Sequence, residues 1–289
     1  MLKTRVIGVL VVREHLVVQS LQFARYLPVG VPRIAVEYLN RWGIDEIVLV
    51  DISARGERRH PDVDGLAEYS RYAQVPLAVG GGIDDIHDIE RIIRSGADKV
   101  VLNTAAIVRP ELITEGARLF GNQCIVVSID AKRTGNGRYE AVTHGGRVPT
   151  GRTPVELAQD AARRGAGEIL LNSIDRDGSK LGYDAQLIEP VVDAVHIPVI
   201  VCGGVGQARH LIEGARLGAS AVAAANFFHY TEHSVAVAKH TLQAAGVDVR
   251  LDTLVRYDGF GIDASGRVEK ADDRTLDRLR FEYIPEEVI

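Results

Sequence analysis

Short apolar, β-branched runs alternate along the chain with segments whose apolar positions recur every three to four residues. The runs are Arg5–Val12, Glu46–Ile52, Leu77–Gly82, Lys99–Thr104, Cys124–Ala131, Glu168–Asp175, Pro198–Gly203 and Ala221–Phe228. Each is apolar almost without interruption, the pattern of a strand buried on both faces of a parallel sheet. Between them, Ile86–Gly96 predicts a helix, with Ile89, Ile92 and Ile93 on one face and Gly96 at its stop. Pro154–Gly165 predicts another, with Thr153 placed to cap it, and Ala208–Gly218 a third. Strands alternating with helices predict parallel strands joined by helical crossovers.

The chain repeats itself. RWGIDEIVLVDIS from Arg41 resembles RRGAGEILLNSID from Arg163. PLAVGGG from Pro76 resembles PVIVCGG from Pro198, and SGADKVVLNTAA from Ser95 resembles LGASAVAAANFF from Leu217; each pair is offset by 122 residues. A constant offset lays one half on the other with the same element order. Two halves of four βα units predict a closed (β/α)8 TIM barrel with a two-fold half-barrel repeat. An open doubly wound sheet is the alternative, but it gives no reason for a repeat of this length. The barrel is expected over residues 1–251. Residues 252–289 form a short C-terminal extension, read as a hairpin plus a short helix carrying Leu276 and Leu279.

The pattern breaks at Arg133–Thr150, a Gly- and Arg-rich stretch containing Gly135-Asn136-Gly137. It follows the fifth run, so it lies over the strand C-terminal ends, where barrel active sites are built. It reads as a mobile lid or as a solvent hairpin. The Gly-rich turns Gly80-Gly81-Gly82 and Gly203-Gly204, with Asn103-Thr104 and Ala225-Asn226, end repeat-related strands on the same face. Glycine lets backbone N–H groups approach an anion, so two such places suit a ligand with an anion at each end. Asp51, Asp130, Asp175 and Asp177 stand at this mouth. Asp130 is the best candidate for proton transfer, and Asp177-Gly178 reads as a backbone-presenting turn. At the other end, Arg5, Glu46, Lys99 and Glu168 begin four runs. Strand starts face the stability side of a barrel, so this mixed-sign ring reads as a structural plug.

Composition narrows the function classes. A net charge of −5 gives no reason to expect a nucleic-acid partner. Cys124 and Cys202 are the two cysteines, too few for a disulfide scaffold or a thiolate zinc site, and they fit a reduced cytoplasmic protein. The nine histidines form no paired ligand spacing, so no metal and no cofactor are expected. The longest N-terminal apolar run, Val6–Val12, is interrupted by Arg13 and Glu14 and is too short for a membrane span, which needs about 20 residues.

DEIVLVDI, LAVGGGI, GADKVVLNTAA, GNQCIVVSIDAKR, THGGRVPTG, GAGEILLNSIDRDGSKLGYD and IPVIVCGGVG resemble the cyclase (synthase) subunit of imidazole glycerol phosphate synthase, the HisF family, over Lys3–Leu251. The resemblance implies a lyase-type barrel subunit that receives ammonia along its axis from a glutaminase docked on the strand N-terminal face. It turns the Arg5, Glu46, Lys99 and Glu168 plug into an openable ammonia gate. It matches Gly82, Asn103 and Thr104 to one phosphate site, and Asp177, Gly178, Gly204, Ala225 and Asn226 to the other. Asn226 stands where the family usually has a small serine. Asp130 matches one of two catalytic aspartates.

Val11 stands where the family carries the second aspartate, and Gln19 replaces a phosphate-holding lysine. These departures, with SLQFARYLPVG after the first strand, resemble the WbuZ or AglZ-type acetamidino modification branch. That branch implies an ammonia-supplying pair serving an N-acetyl sugar amidotransferase of surface polysaccharide. The alternatives are a working cyclase of histidine biosynthesis, with another group replacing the missing acid, and a non-catalytic phosphate-binding scaffold.

Overall fold

The structure, a computed structural model, describes residues 3–53, 60–231 and 233–254, together with 261, 263, 267–270, 272 and 274. Its strands are β1 (Arg5–Arg13), β2 (Leu16–Leu21), β3 (Arg25–Gly30), β4 (Glu46–Asp51), β5 (Leu77–Gly80), β6 (Lys99–Leu102), β7 (Ile125–Arg133), β8 (Tyr139–Thr143), β9 (Val148–Pro149), β10 (Glu168–Ser173), β11 (Val199–Cys202) and β12 (Ala221–Ala224). Eight of them pair in parallel in the order β1-β4-β5-β6-β7-β10-β11-β12, and β12 returns to β1. The sheet is closed, so the fold is the (β/α)8 barrel and not the open sheet.

Closure follows from the apolar pattern. Alternate residues of each barrel strand face inward and outward. Outward side chains such as Val6, Leu10, Ile47, Leu77 and Ile125 join the helices in one large core. Inward ones, including Ile7, Val9, Val48, Ala78, Val101, Val126, Leu170, Ile200, Ala221 and Ala223, fill the barrel. Both faces are therefore apolar.

Several strands end earlier than their sequence pattern suggests, two of them because a short helix follows. Lys99–Thr104 stops at Leu102, and Ala221–Phe228 stops at Ala224, because short helices begin at Thr104 and Asn226. Phe227 and Phe228 are buried from a helix, so an apolar run alone misassigned them. The helix Pro154–Arg163 opens with a full capping box, Thr153 and Glu156 each bonding the other's backbone N–H.

The repeat reaches further than the three blocks. The helices Pro32–Arg41 and Pro154–Arg163 begin on prolines 122 residues apart, and Gly43 and Gly165 close them at φ +82° and +98°. Each is preceded by an antiparallel addition to the first barrel strand of its half. β2 pairs β1 and β3 pairs β2; β8 pairs β7 and β9 pairs β8. The β2–β3 hairpin had no counterpart in the sequence reading: Leu16–Leu21 does not alternate apolar with polar residues, and Val17 and Val18 are adjacent and both buried. The Arg133–Thr150 segment forms an antiparallel hairpin with an exposed turn and a buried base. Ala141, Val142 and Thr143 are buried, with the turn at Gly135–Gly137.

From Arg250 the chain runs under the base of the barrel. Thr253 Oγ1 and Leu254 N both donate to Arg41 O, at 3.1 and 3.2 Å. Beyond it, Asp263 N donates to Arg267 O and Glu269 N to Gly261 O, each at 2.8 Å. The rest of the expected hairpin, and the expected helix, lie outside the described residues.

Candidate functional site

Asp130 ends the inward row Val126, Ser128, Asp130 of β7, and its side chain is 7% exposed. Two amides hold it. Asn103 Nδ2 donates to Oδ2 at 3.1 Å from the end of β6, and Asn172 Nδ2 donates to Oδ1 at 2.9 Å from β10. The same amides reach Ser128, Asn103 to its carbonyl at 3.0 Å and Asn172 to its hydroxyl at 3.1 Å. Burial pushes the Asp130 carboxyl up to about 6, and the two amides pull only partly against it. The remaining inner positions at this level are apolar or neutral: Val11, Val50, Cys202 and Ala225. Burial raises the Cys202 thiol to about 12, so it stays protonated and is a poor nucleophile. Asn172 and Ser128 were not singled out in the sequence. The signal available was strand periodicity, which puts Asn172 on the inner face two residues above Leu170.

Gly82, at φ +67°, follows β5. Thr104 opens the helix after β6, accepts from His144 N at 3.3 Å and donates to Asn103 Oδ1 at 3.2 Å. Asn103 and Thr104 therefore belong to the same network as Asp130. Asp177, Gly178, Gly204, Ala225 and Asn226 gather on the opposite side of the mouth, and the β2–β3 hairpin reaches into this group. Asp177 Oδ2 accepts from Ser20 Oγ at 2.6 Å and from Phe23 N at 3.2 Å. Asn226 exchanges two bonds with the Ser20 backbone, at 3.2 and 2.7 Å. Burial raises the Asp177 carboxyl, opposed by its bonds to Ser20, Phe23 and Gln22. Asp175 is occupied differently, accepting from Arg133 N at 2.7 Å, and Asp51 accepts from Ser53 N at 2.9 Å.

At the strand N-termini the four charges form a closed ring. Arg5 bonds Glu46 through Nη1 and Glu168 through Nη2 at 3.0 Å. Lys99 Nζ lies 2.9 Å from Glu46 Oε1 and 3.1 Å from Glu168 Oε2. Two cations and two anions alternate, and each touches both opposite charges. Burial alone pulls the Arg5 guanidinium down, but the carboxylates of Glu168 and Glu46 outweigh it and hold it above its ordinary value. Beside the ring, Asp45 accepts from Lys239 Nζ at 2.7 Å and from Val6 N at 2.7 Å. Both side chains of that pair are 4% exposed.

The described residues contain no group of three or more His, Cys, Asp or Glu able to hold a metal. No helix among them is long and apolar enough to cross a membrane.

The chain is thus a closed (β/α)8 barrel with a buried carboxylate at its C-terminal mouth and an ion-pair ring at its base. The family profile described as "Histidine biosynthesis protein" matches residues 5–234. The chain belongs to this family of HisF-type barrels.

Proposed function

We propose that this chain is the ammonia-accepting barrel subunit of a glutamine-dependent amidotransferase, paired with a glutaminase on the face that carries the charged ring. The observation that supports this best is the character of the barrel interior between the ring and Asp130. Inner side chains from Ile7 to Ala223 are apolar over most of the interval, and Ser128 and Asn172 are the polar ones beside Asp130. Such a lining suits neutral ammonia and rejects ammonium, whose desolvation costs several kcal/mol. The Arg5, Glu46, Lys99 and Glu168 ring is the gate, opened by separating one ion pair.

The chemistry at the mouth needs one proton acceptor. Asp130, at about 6, is mostly ionised at neutral pH and close enough to that pH to exchange protons. Ammonia adding to an acetamido carbon activated on its oxygen forms a C–N bond and a cationic nitrogen; Asp130 takes the proton that is lost, and the C–O bond breaks as the oxygen leaves with its activating group. Imidazole ring closure asks for a paired acid and base, and Val11 fills the place of the second group. The substrate we favour is an N-acetyl sugar of surface polysaccharide, amidinated with the help of a sugar amidotransferase. A phosphorylated small molecule sits at the mouth against Gly82, Asn103 and Thr104.

The test is to mix the purified chain with a HisH-like glutaminase from the same organism. A stable complex with increased glutaminase turnover is expected; no complex and no stimulation would sink the proposal. A second reading, a cyclase of histidine biosynthesis, draws on the family match. It requires rescue of a histidine auxotroph lacking the cyclase. The proposal expects no rescue by the native chain, and cyclase activity, if any, only after Val11→Asp.

A further inference from the structure

The turn of the β2–β3 hairpin is strained. Gln22 and Phe23 both lie at φ +54°, a conformation that side chains other than glycine and asparagine rarely take. Such geometry persists only where its surroundings hold it. Here the holding groups come from the far side of the mouth. Gln22 N donates to Asp177 O at 3.2 Å, Phe23 N to Asp177 Oδ2 at 3.2 Å, and Ser20 Oγ to the same carboxylate oxygen at 2.6 Å. Asn226 adds two bonds with Ser20, accepting from its N–H and donating to its carbonyl, as a neighbouring strand would. Five hydrogen bonds thus join Asp177 and Asn226 to three residues of one hairpin, Ser20, Gln22 and Phe23.

The glycines of this half are occupied as well. A Cβ on Gly178 would stand 2.5 Å from Leu21 Cδ2 and 2.8 Å from Ser20 O, and one on Gly204 would strike the Gly182 carbonyl. The hairpin itself therefore lies against Gly178, the turn that a ligand anion would have to approach on this side.

We propose that Asp177 and Asn226 are positioning residues that seat the hairpin as a fixed wall, so that the mouth takes a ligand with one anionic end, bound on the Gly82–Thr104 side. This rests on the phosphate reading above for the ligand, but the seating of the hairpin stands apart from it. Asn226 determines specificity: a serine there is too short to bond both the N–H and the carbonyl of Ser20, and the hairpin loosens.

The experiment uses the full chain and reads two quantities. Hydrogen exchange at the Gln22 and Phe23 amides is expected to be slow in the native chain. It should be faster by roughly tenfold or more in Asn226→Ser, which loses two hydrogen bonds. Asp177→Asn keeps an acceptor and should retain most of the protection, whereas Asp177→Ala should not. Equal exchange in native chain and Asn226→Ser overturns the proposal, whatever binds. Calorimetry with fructose 6-phosphate and fructose 1,6-bisphosphate gives the second readout. The native chain should bind the two within about threefold, and Asn226→Ser should gain roughly tenfold for the bisphosphate alone. A native preference of tenfold for the bisphosphate overturns the one-anion inference. If neither ligand binds either protein, the one-anion inference and the phosphate reading fall together, and the exchange result still decides the seating of the hairpin.

Discussion

At the scale of the residue, the site turns on one carboxylate in an environment that does not favour its charge. Asp130 is held by Asn103 and Asn172, which donate to it without neutralising it. Its carboxyl is raised from 3.8 to about 6, so between those values the folded chain binds more protons than the unfolded chain. Stability therefore falls as pH rises through that window, and Asp130 accounts for about 3 kcal/mol of the fall. Urea titrations at pH 4 and pH 7 check this: the stability of the native chain relative to Asp130→Asn should drop by about that amount. No change in the difference between the two proteins would show that Asp130 is not titrating there. Asp130 was legible in the sequence as an acid at a strand end. Asn172 was not, because an asparagine carries no chemical signature until the neighbouring strand brings it to within 2.9 Å of a carboxylate.

At the scale of the element, local chemistry specifies the helices well, and the hairpins much less. Thr153 followed by Pro154 announces the helix Pro154–Arg163, and the capping box forms as the residues demand. Thr153→Ala should cost about 1 kcal/mol, measured by chemical denaturation, with no change in ligand binding. The buried pair Lys239–Asp45 ties the helix Ser234–Ala244 to the starts of β1 and β4. Lys239→Met leaves Asp45 buried with only the Val6 amide, and should cost about 3–5 kcal/mol. A loss below 1 kcal/mol would mean that Asp45 finds water. The β2–β3 hairpin escaped the sequence reading because its turn residues, Gln22 and Phe23, are not turn formers. Their conformation is imposed by Asp177, more than 150 residues away.

At the scale of the molecule, the ring closes one end of an apolar interior whose other end carries Asp130. Lys99→Met removes the contacts to both Glu46 and Glu168 and leaves Arg5 as the only cation of the ring. If the ring is the proposed ammonia gate, then with a HisH-like glutaminase present the ratio of glutamate formed to ammonia captured at the mouth should rise in this variant, because a broken gate would leak. An unchanged ratio would remove the ring from ammonia transfer and return it to a structural plug.

By itself the sequence determined the barrel. Eight apolar runs, the helices between them and a repeat of 122 residues leave little room for another fold, because burial on both strand faces and crossover length are local, additive properties. It also placed Asp130 and Asp177 at one end and the four charges at the other, since strand direction alone decides which end a residue occupies. Only the tertiary structure decided what those residues touch. It joined Arg5, Glu46, Lys99 and Glu168 into one neutral ring, set Asn103 and Asn172 on Asp130, and laid the hairpin across Gly178, Asp177 and Asn226. These contacts link residues from distant parts of the chain. They exist only once the barrel closes, and no local pattern of the sequence carries them.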